Sequence, residues 1–310
     1  MSEFIPSIDF SGYDEDDPAS IAFLAQSVSD ALGTTGFMKI RHLGISIEQI
    51  DRVFELSRWF FSQPTEQKLR SAYVSAEENF GYQGFGLEHL DPQQPADLKE
   101  TFTLRDLLHQ HPADPRWPDD HFREEMTAFY QACLEGAYRI QRVFAGALQV
   151  EPDFFVRYHG GENASLRLLY YPDRGVDTIE AGQLGAGAHT DYGMITLLFQ
   201  RDIGGLEVQD AAGTWHPVPP ENDAIVINTG DLMERWTNGR FRSTPHRVQP
   251  KIGDAERFSI AMFVDPDSDT PVRVLDSCLA AGEQPGFQEI SAGEYIQGRI
   301  EASHRRAQAE

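Results

Sequence analysis

The second half of the chain is a series of short apolar segments interrupted by glycine, proline and aspartate, and this feature restricts the possible folds most strongly. The segments predicted as strands are Leu166–Tyr171, Met194–Phe199, Leu206–Val208, Trp215–Val218, Ala224–Asn228, His246–Val248 and Phe258–Val264. Short strands at close spacing, with turn residues between them, are typical of sandwiches and jelly rolls. The sequence therefore predicts a mainly β fold with flanking helices, and not an alternating α/β sheet.

Three helices are predicted in the first half of the chain. The first begins at Pro18, a residue type that suits the first turn of a helix. Ser46 with Gln49 is the capping-box pattern of a second helix. The third follows Pro118 and carries apolar residues every three or four positions as far as Leu148, which indicates one buried face.

These patterns divide the chain into two parts. We expect residues 1–150 to form an N-terminal α/β segment whose long helix supports the core. Residues 151–310 are expected to form the jelly-roll core itself, followed by a last helix from Ala292 to about His304.

The charge of the chain restricts its partners. It has 49 acidic residues against 26 Lys and Arg residues, a net charge of −23. Proteins that bind nucleic acids or anionic membranes rely on clustered basic side chains, so neither partner is expected. The expected partner is a small-molecule substrate, and no heptad repeat indicates a coiled-coil partner, which leaves the oligomeric state open.

Cysteine use and hydropathy predict a cytoplasmic protein. Cys133 and Cys278 are the two cysteines, too few for a disulfide framework. No apolar run approaches the roughly 18 residues that cross a bilayer. The first basic residue is Lys39, so the basic start of a signal peptide is missing.

Two histidines and one aspartate form a candidate metal site. His189 and Asp191 are two residues apart in an extended segment expected to open a strand, so their side chains point to the same side. His246 lies beside another predicted strand, which an antiparallel sandwich can bring next to the pair. Two histidines and one carboxylate on one face of an ion leave the other face open, as in non-haem Fe(II) oxygenases.

A candidate anion site follows on a later strand. Arg257 and Ser259 are again two residues apart and face one side of the strand. A guanidinium fork beside a hydroxyl is suited to a carboxylate. A buried arginine without a partner is costly, so this residue is expected to have a ligand or an acidic neighbour.

Taken together, these motifs resemble a known family, the isopenicillin N synthase-like Fe(II) and 2-oxoglutarate-dependent dioxygenases. The resemblance rests first on His189-Thr190-Asp191, His246, Arg257-x-Ser259 and Tyr170-Tyr171-Pro172. Further matches along nearly the whole chain are Ile5-Pro6-x-Ile8-Asp9, Gly36-Phe37, Asp97-Leu98-Lys99-Glu100, Gly230-Asp231 and Asn238-Gly239. The ordered set is specific, although each element alone is weak.

The resemblance implies a double-stranded β-helix, that is, a jelly roll. The implied iron ligands are His189, Asp191 and His246. The residues implied to bind 2-oxoglutarate are Arg257, Ser259 and Tyr171. The implied reaction uses O2, releases succinate and CO2, and oxidises a substrate C–H bond by hydroxylation, desaturation or cyclisation. Many relatives have Asn two residues before the tyrosine, where this chain has Leu169.

Candidate substrate-binding residues come from strand alternation and from the resemblance. Arg167 shares a strand face with Tyr171, so it could bind a substrate anion or pair with an internal Asp or Glu. The segment before the long helix and the last core strand line the pocket in the family. The candidates there are Tyr82, Phe85, Phe102, Arg105 and Phe263.

Four other functions share part of this pattern. An Fe(II) oxidase of the same family that does not use 2-oxoglutarate could keep the Arg257 pair for another carboxylate. An ethylene-forming enzyme would fragment 2-oxoglutarate itself. A binding protein without turnover has no need of an open-faced iron site. Zinc hydrolysis is possible with these three ligands, but the sequence offers no candidate general base beside them.

Overall fold

The structure of the chain is a computed structural model that describes residues 4–88, 90–91, 94–111, 113–173, 179–180, 182–250 and 256–307. The helices of this part are α1 (Pro18–Thr34), α2 (Ile47–Phe61), α3 (Thr65–Lys68), α4 (Asp120–Leu148), α5 (Asp231–Trp236) and α6 (Ala292–Ala307). The strands are β1 (Ser7–Asp9), β2 (Phe37–Arg41), β3 (Gly81–Gln83), β4 (Glu100–Arg105), β5 (Ala164–Tyr171), β6 (Ala186–His189), β7 (Ile195–Gln200), β8 (Leu206–Gln209), β9 (Trp215–Pro217), β10 (Ile225–Thr229), β11 (His246–Val248), β12 (Arg257–Val264), β13 (Pro271–Val272) and β14 (Ile290–Ser291).

The predicted helices begin where local side chains satisfy their first backbone amides. The Asp17 carboxylate accepts the amide of Ala19 ahead of α1, and the capping box of Ser46 and Gln49 is formed at α2. Asp119 caps the long helix α4. These contacts supply acceptors for amides that have no partner inside the helix.

Two β-sheets form the core. The larger sheet has the strand order β1-β2-β10-β7-β12-β5-β4-β3, and the smaller has the order β6-β11-β8-β9. The β1–β2 pair is parallel and the other pairs of both sheets are antiparallel. The inner faces pack on each other through Leu169, Tyr171 and Ala261 of the larger sheet and Ala186 and Val248 of the smaller. This arrangement is the mainly β, double-stranded β-helix fold expected from the sequence.

The outer face of the larger sheet packs against the helices. Phe199 of β7 contacts Phe129 of α4 with ring centroids 5.1 Å apart, and Phe102 of β4 contacts Phe60 of α2 at 4.7 Å. Leu198, the neighbour of Phe199, packs between the two sheets instead. Alternation along each strand therefore separates a helix-facing core from a sheet-facing interior.

The predicted strands agree with the observed ones to within one or two residues, with one informative error at the metal-ligand segment. The sequence predicts His189 and Asp191 at the opening of a strand. Instead, His189 is the last residue of β6, and Asp191 lies in the turn before β7. His189 therefore ends a strand of the smaller sheet, and Asp191 lies in the segment that connects it to the larger sheet.

The first 150 residues contribute β1 to β4, and these four strands are part of the same sheet as β5, β7, β10 and β12. The division of the chain at residue 150 falls between α4 and β5 and stays a prediction. Within the described residues, the structure contains no helix that is both long enough and apolar enough to cross a bilayer.

Candidate metal and cosubstrate site

Pairing of β6 with β11 brings the three predicted metal ligands together. His189 and His246 are directly opposed in this antiparallel pair, and their ring centroids lie 4.3 Å apart. The Oδ1 atom of Asp191 lies 3.8 Å from Nε2 of His189 and 3.6 Å from Nε2 of His246. One ligand atom from each residue lies within 4.8 Å of the others, so a single ion can contact all three.

The Asp191 carboxylate is oriented by two neutral side chains. Its Oδ2 atom accepts hydrogen bonds from the Thr196 hydroxyl at 2.5 Å and from the Asn228 amide at 2.7 Å. Because Oδ2 is occupied, Oδ1 is the atom directed at the histidines. Such outer contacts fix the ligand orientation at metal sites. Neither residue is predicted from the sequence, because Thr196 lies on β7 and Asn228 on β10, away from the metal-ligand motif.

The two imidazoles have the tautomer that a metal requires. Nδ1 of His189 lies 2.7 Å from the Gly187 carbonyl, and Nδ1 of His246 lies 3.2 Å from the Thr244 carbonyl. A carbonyl oxygen only accepts, so each Nδ1 carries the proton and each Nε2 presents a lone pair.

The electrostatics of the triad favour metal ligation. Burial lowers the pKa of His189, and the adjacent His246 lowers it further, so the ring is neutral. Burial alone would raise the pKa of Asp191, but the two histidines and the hydrogen bonds lower it, so the group is ionised. Neutral imidazoles and an ionised carboxylate are the ligating forms.

Arg257 is a buried cation whose guanidinium is only partly satisfied. The side chain is 1% exposed. Nη1 donates to the Ser259 hydroxyl at 3.1 Å and Nη2 donates to the Gln200 side-chain oxygen at 3.2 Å, whereas Nε is buried without a hydrogen-bond partner. Among the described residues, no carboxylate pairs with it, and burial lowers its pKa. The site therefore favours binding of an anion.

Tyr171 and Leu169 lie next to this cation. The Arg257 guanidinium lies over the Tyr171 ring, 4.7 Å from its centroid. Leu169 pairs across strands with Ser259 and contributes to the apolar interior. Leu169 thus adds apolar surface beside the cation.

Arg167 is paired with an acidic residue from a distant segment. It donates through Nη2 to the Glu88 carboxylate and through Nε to the Thr103 hydroxyl at 3.2 Å. Lys99 lies 3.1 Å from the other Glu88 oxygen and 2.7 Å from Asp97. Of the two alternatives open for Arg167, the ion pair is the one that the structure contains.

The three remaining pocket candidates lie in different surroundings. Phe263 packs with the interior cluster, and Phe85 is half-buried in the loop after β3. Arg105 is bonded to the carbonyls of residues 77 and 162 and to the Asn163 side chain. Each of its three guanidinium nitrogens therefore already donates a hydrogen bond at the end of β4.

Tyr82 and Phe102 need a correction. We expect them in the substrate pocket from the sequence, but both belong to the helix-facing core. Phe102 packs on Phe60, and the Tyr82 hydroxyl donates to the Glu100 carboxylate at 2.6 Å. Strand alternation points both side chains away from the interior between the sheets.

Two family models match the chain. Residues 162–266 match the 2OG-Fe(II) oxygenase superfamily. Residues 5–124 match the N-terminal region of a non-haem dioxygenase in morphine synthesis. The first match includes the metal triad and the Arg257 pair, and the second covers the strands and helices that precede α4.

Curated relatives and solved structures match nearly the full chain. The 2-oxoglutarate-Fe(II) type oxidoreductase hxnY of Emericella nidulans is 35% identical, over 98% of this chain and 91% of its own length. The oxidoreductase ppzD of Metarhizium rileyi, described by the same type, is 32% identical over 96% and 90%. The crystal structure of a Neurospora crassa protein in complex with alpha-KG and thymine has a TM-score of 0.87, with 30% identity and 96% and 97% coverage.

Proposed function

This chain belongs to the 2OG-Fe(II) oxygenase superfamily, and on that premise we propose that His189, Asp191 and His246 hold its iron and that Arg257 and Ser259 hold 2-oxoglutarate. The protein is an Fe(II)- and 2-oxoglutarate-dependent dioxygenase, an oxidoreductase that acts on a small molecule. The single observation that carries the residue assignment is the convergence of one ligand atom from each of the three side chains.

The donor set fits ferrous iron. Two neutral imidazole nitrogens and one carboxylate oxygen form the facial triad that non-haem Fe(II) oxygenases use, and this set leaves positions for other ligands. Thr196 and Asn228 hold the second carboxylate oxygen, so Asp191 offers one oxygen to the ion.

Arg257 fits the cosubstrate. Its guanidinium is buried, lacks a carboxylate partner among the described residues and has an unsatisfied Nε. The distal carboxylate of 2-oxoglutarate would supply the missing charge, and the Ser259 hydroxyl can donate to the same group. An Fe(II) oxidase without 2-oxoglutarate would need another anion for this residue.

Bound Fe(II) and 2-oxoglutarate together supply the oxidation, in which O2 is consumed, 2-oxoglutarate is converted to succinate and CO2, and a substrate C–H bond is oxidised. The protein contributes position and environment. Arg257 and Ser259 anchor one end of the cosubstrate, while the ring of Tyr171 closes the space beside the guanidinium. An apolar lining excludes water from the reaction and consists of Leu169, Ala186, Val248 and Ala261.

The cellular setting is part of the proposal. We place the enzyme in the cytoplasm and expect neither a nucleic-acid nor a membrane partner. The net charge of −23 supports this view, because both partners are polyanionic surfaces. The free cysteines Cys133 and Cys278 suit a reducing compartment, in which iron also stays ferrous.

The test of the metal assignment compares two histidine variants. His246→Ala should abolish Fe(II) binding in equilibrium dialysis and also the succinate that the enzyme forms from 2-oxoglutarate. His216→Ala is the matched control, since His216 pairs with Asp210 at 2.7 Å in the smaller sheet and lies outside the triad. If His246→Ala binds iron and forms succinate as the control does, the assignment is wrong.

A further inference from the structure

Four charged side chains, two of them buried and two half-buried, form a connected network beside the candidate site. Glu88 pairs with both Arg167 and Lys99, and Lys99 pairs in turn with Asp97. The Lys99 side chain is 2% exposed, and that of Asp97 is also 2% exposed. Asp97 accepts the amide of Gly187 at 2.9 Å, which ties the network to the strand that carries His189.

The charges of this network balance. Two cations face two carboxylates, so the Arg167 end has no net charge to offer. Burial alone would raise the pKa of Glu88, but the Arg167 and Lys99 charges lower it to about 2, so Glu88 is ionised at neutral pH. Any group that binds to Arg167 therefore also faces a fixed negative charge.

Arg167 nevertheless keeps a free donor. Nε bonds to Thr103 and Nη2 bonds to Glu88, and Nη1 donates to no acceptor among the described residues. The side chain is 18% exposed, although it lies on the interior face of its strand. The free guanidinium nitrogen is therefore a hydrogen-bond donor available to a ligand.

The position of Arg167 is suited to substrate and not to cosubstrate. Arg167, Ala261 and Leu198 form one cross-strand row of the interior face. The next row on one side holds Ser259, and the next on the other side holds Phe263. Ala261 has the shortest side chain of its row, and Leu198 and Phe263 each keep part of their surface exposed, so large apolar side chains do not fully cover Arg167.

We infer that the substrate presents an uncharged hydrogen-bond acceptor, such as a carboxamide or ring carbonyl, to Nη1 of Arg167, and that Glu88 discriminates against a carboxylate there. This inference rests on the proposed function, since it concerns the substrate end of the same interior. A neutral acceptor gains a charge-assisted hydrogen bond without disturbing the Glu88 pair. A carboxylate would lie beside Glu88, and juxtaposed like charges disfavour its binding.

Direct replacement of Glu88 by a substrate carboxylate is the less favourable arrangement. It would break the bonds from Arg167 and Lys99 and leave Glu88 half-buried without a partner. Removing one partner of a buried pair is strongly destabilising. The network therefore specifies a neutral polar substrate end next to the apolar surface of Phe263 and Leu198.

The experiment measures ligand preference without turnover. The protein loaded with Fe(II) and 2-oxoglutarate under anaerobic conditions is titrated with benzamide and benzoate, and then with cyclohexanecarboxamide and cyclohexanecarboxylate. Binding is followed by calorimetry and by the shift of the 2-oxoglutarate charge-transfer band. The wild type should bind at least one amide more tightly than its matched acid, by about tenfold or more.

The variants should change this preference in a defined direction. Glu88→Gln leaves one uncompensated positive charge, so the acid should gain about tenfold relative to the amide. Arg167→Gln should weaken amide binding about tenfold and give no gain for the acid. Glu207→Gln is the matched control, because Glu207 is a half-buried glutamate that pairs with Arg247 at 2.7 Å in the smaller sheet. It should leave the preference unchanged.

The outcomes separate this inference from the proposed function. If no charge-transfer band forms when Fe(II) and 2-oxoglutarate are added, the proposed function fails. If the band forms but the wild type binds no amide, or binds the acids equally well, the inference alone is wrong. An unchanged preference in Glu88→Gln also overturns it, and Arg167→Gln supplies the same decision if Glu88→Gln does not fold.

Discussion

Two arginines on the interior face of the larger sheet differ in the partners of their guanidinium groups. Arg257 is buried with a hydroxyl and an amide oxygen as its acceptors, whereas Arg167 is paired with the Glu88 carboxylate. The two lie on neighbouring antiparallel strands and are separated by four residues of register, about 13 Å along the strands. The Arg257 end of the interior therefore carries a positive charge without a carboxylate partner, whereas the Arg167 end has no net charge.

The difference indicates which ligand each end is built for. A buried guanidinium without a charged partner destabilises a protein unless a bound ligand supplies that partner. The Arg257 end has this property and fits a dicarboxylate cosubstrate. The Arg167 end is complete without a ligand and offers one free donor, which fits a neutral group. The same residue type thus serves opposite purposes on one sheet.

The largest expected effect is a difference in the free energy of unfolding between variants of the two arginines, measured in the apoprotein. Arg167→Met leaves Glu88 with Lys99 alone and should lower the free energy of unfolding by about 3–5 kcal/mol. Arg257→Met removes an unpaired buried cation and should leave this free energy unchanged or raise it. Urea denaturation of both variants, without iron or cosubstrate, measures the contrast. Equal losses in the two variants would remove the distinction between the two ends.

The acid sensitivity of the Glu88 pair gives a second test. The folded-state pKa of Glu88 is lowered from 4.5 to about 2, so its stabilisation is fully present above about pH 4.5 and is lost as the pH falls toward 2. Over this window, the wild type should lose up to about 3 kcal/mol more than Glu88→Gln does. Denaturant midpoints measured at several pH values check this, and parallel curves for the two proteins would contradict it.

A smaller effect is expected when the Arg257 end is made to resemble the Arg167 end. Gln200→Glu places a carboxylate at the atom that Arg257 Nη2 already contacts at 3.2 Å. The new internal partner should compete with 2-oxoglutarate and weaken its binding about tenfold. Asn222→Glu, at an exposed position outside both ends, is the control for added negative charge. Equal binding by Gln200→Glu and the wild type would argue against a carboxylate ligand at Arg257.

The sequence predicts one of the two ends much better than the other. Arg257 and Ser259 are two residues apart, and strand alternation alone brings them to one face. The partner of Arg167 lies 79 positions away in a loop, so no local pattern indicates Glu88. The assignment of Phe102 to the pocket is wrong because the phase of β4 depends on its register with β5, which only the structure shows.

The most direct test of the account is the anaerobic titration of the Fe(II)-loaded protein with 2-oxoglutarate, followed by its visible charge-transfer band, in the wild type, Arg257→Ala and Arg167→Ala. We predict a saturable band in the wild type, affinity about 100-fold weaker in Arg257→Ala, and affinity within about twofold of the wild type in Arg167→Ala. A band that is insensitive to Arg257→Ala, or one lost equally in both variants, would contradict the assignment of the cosubstrate to the unpaired arginine.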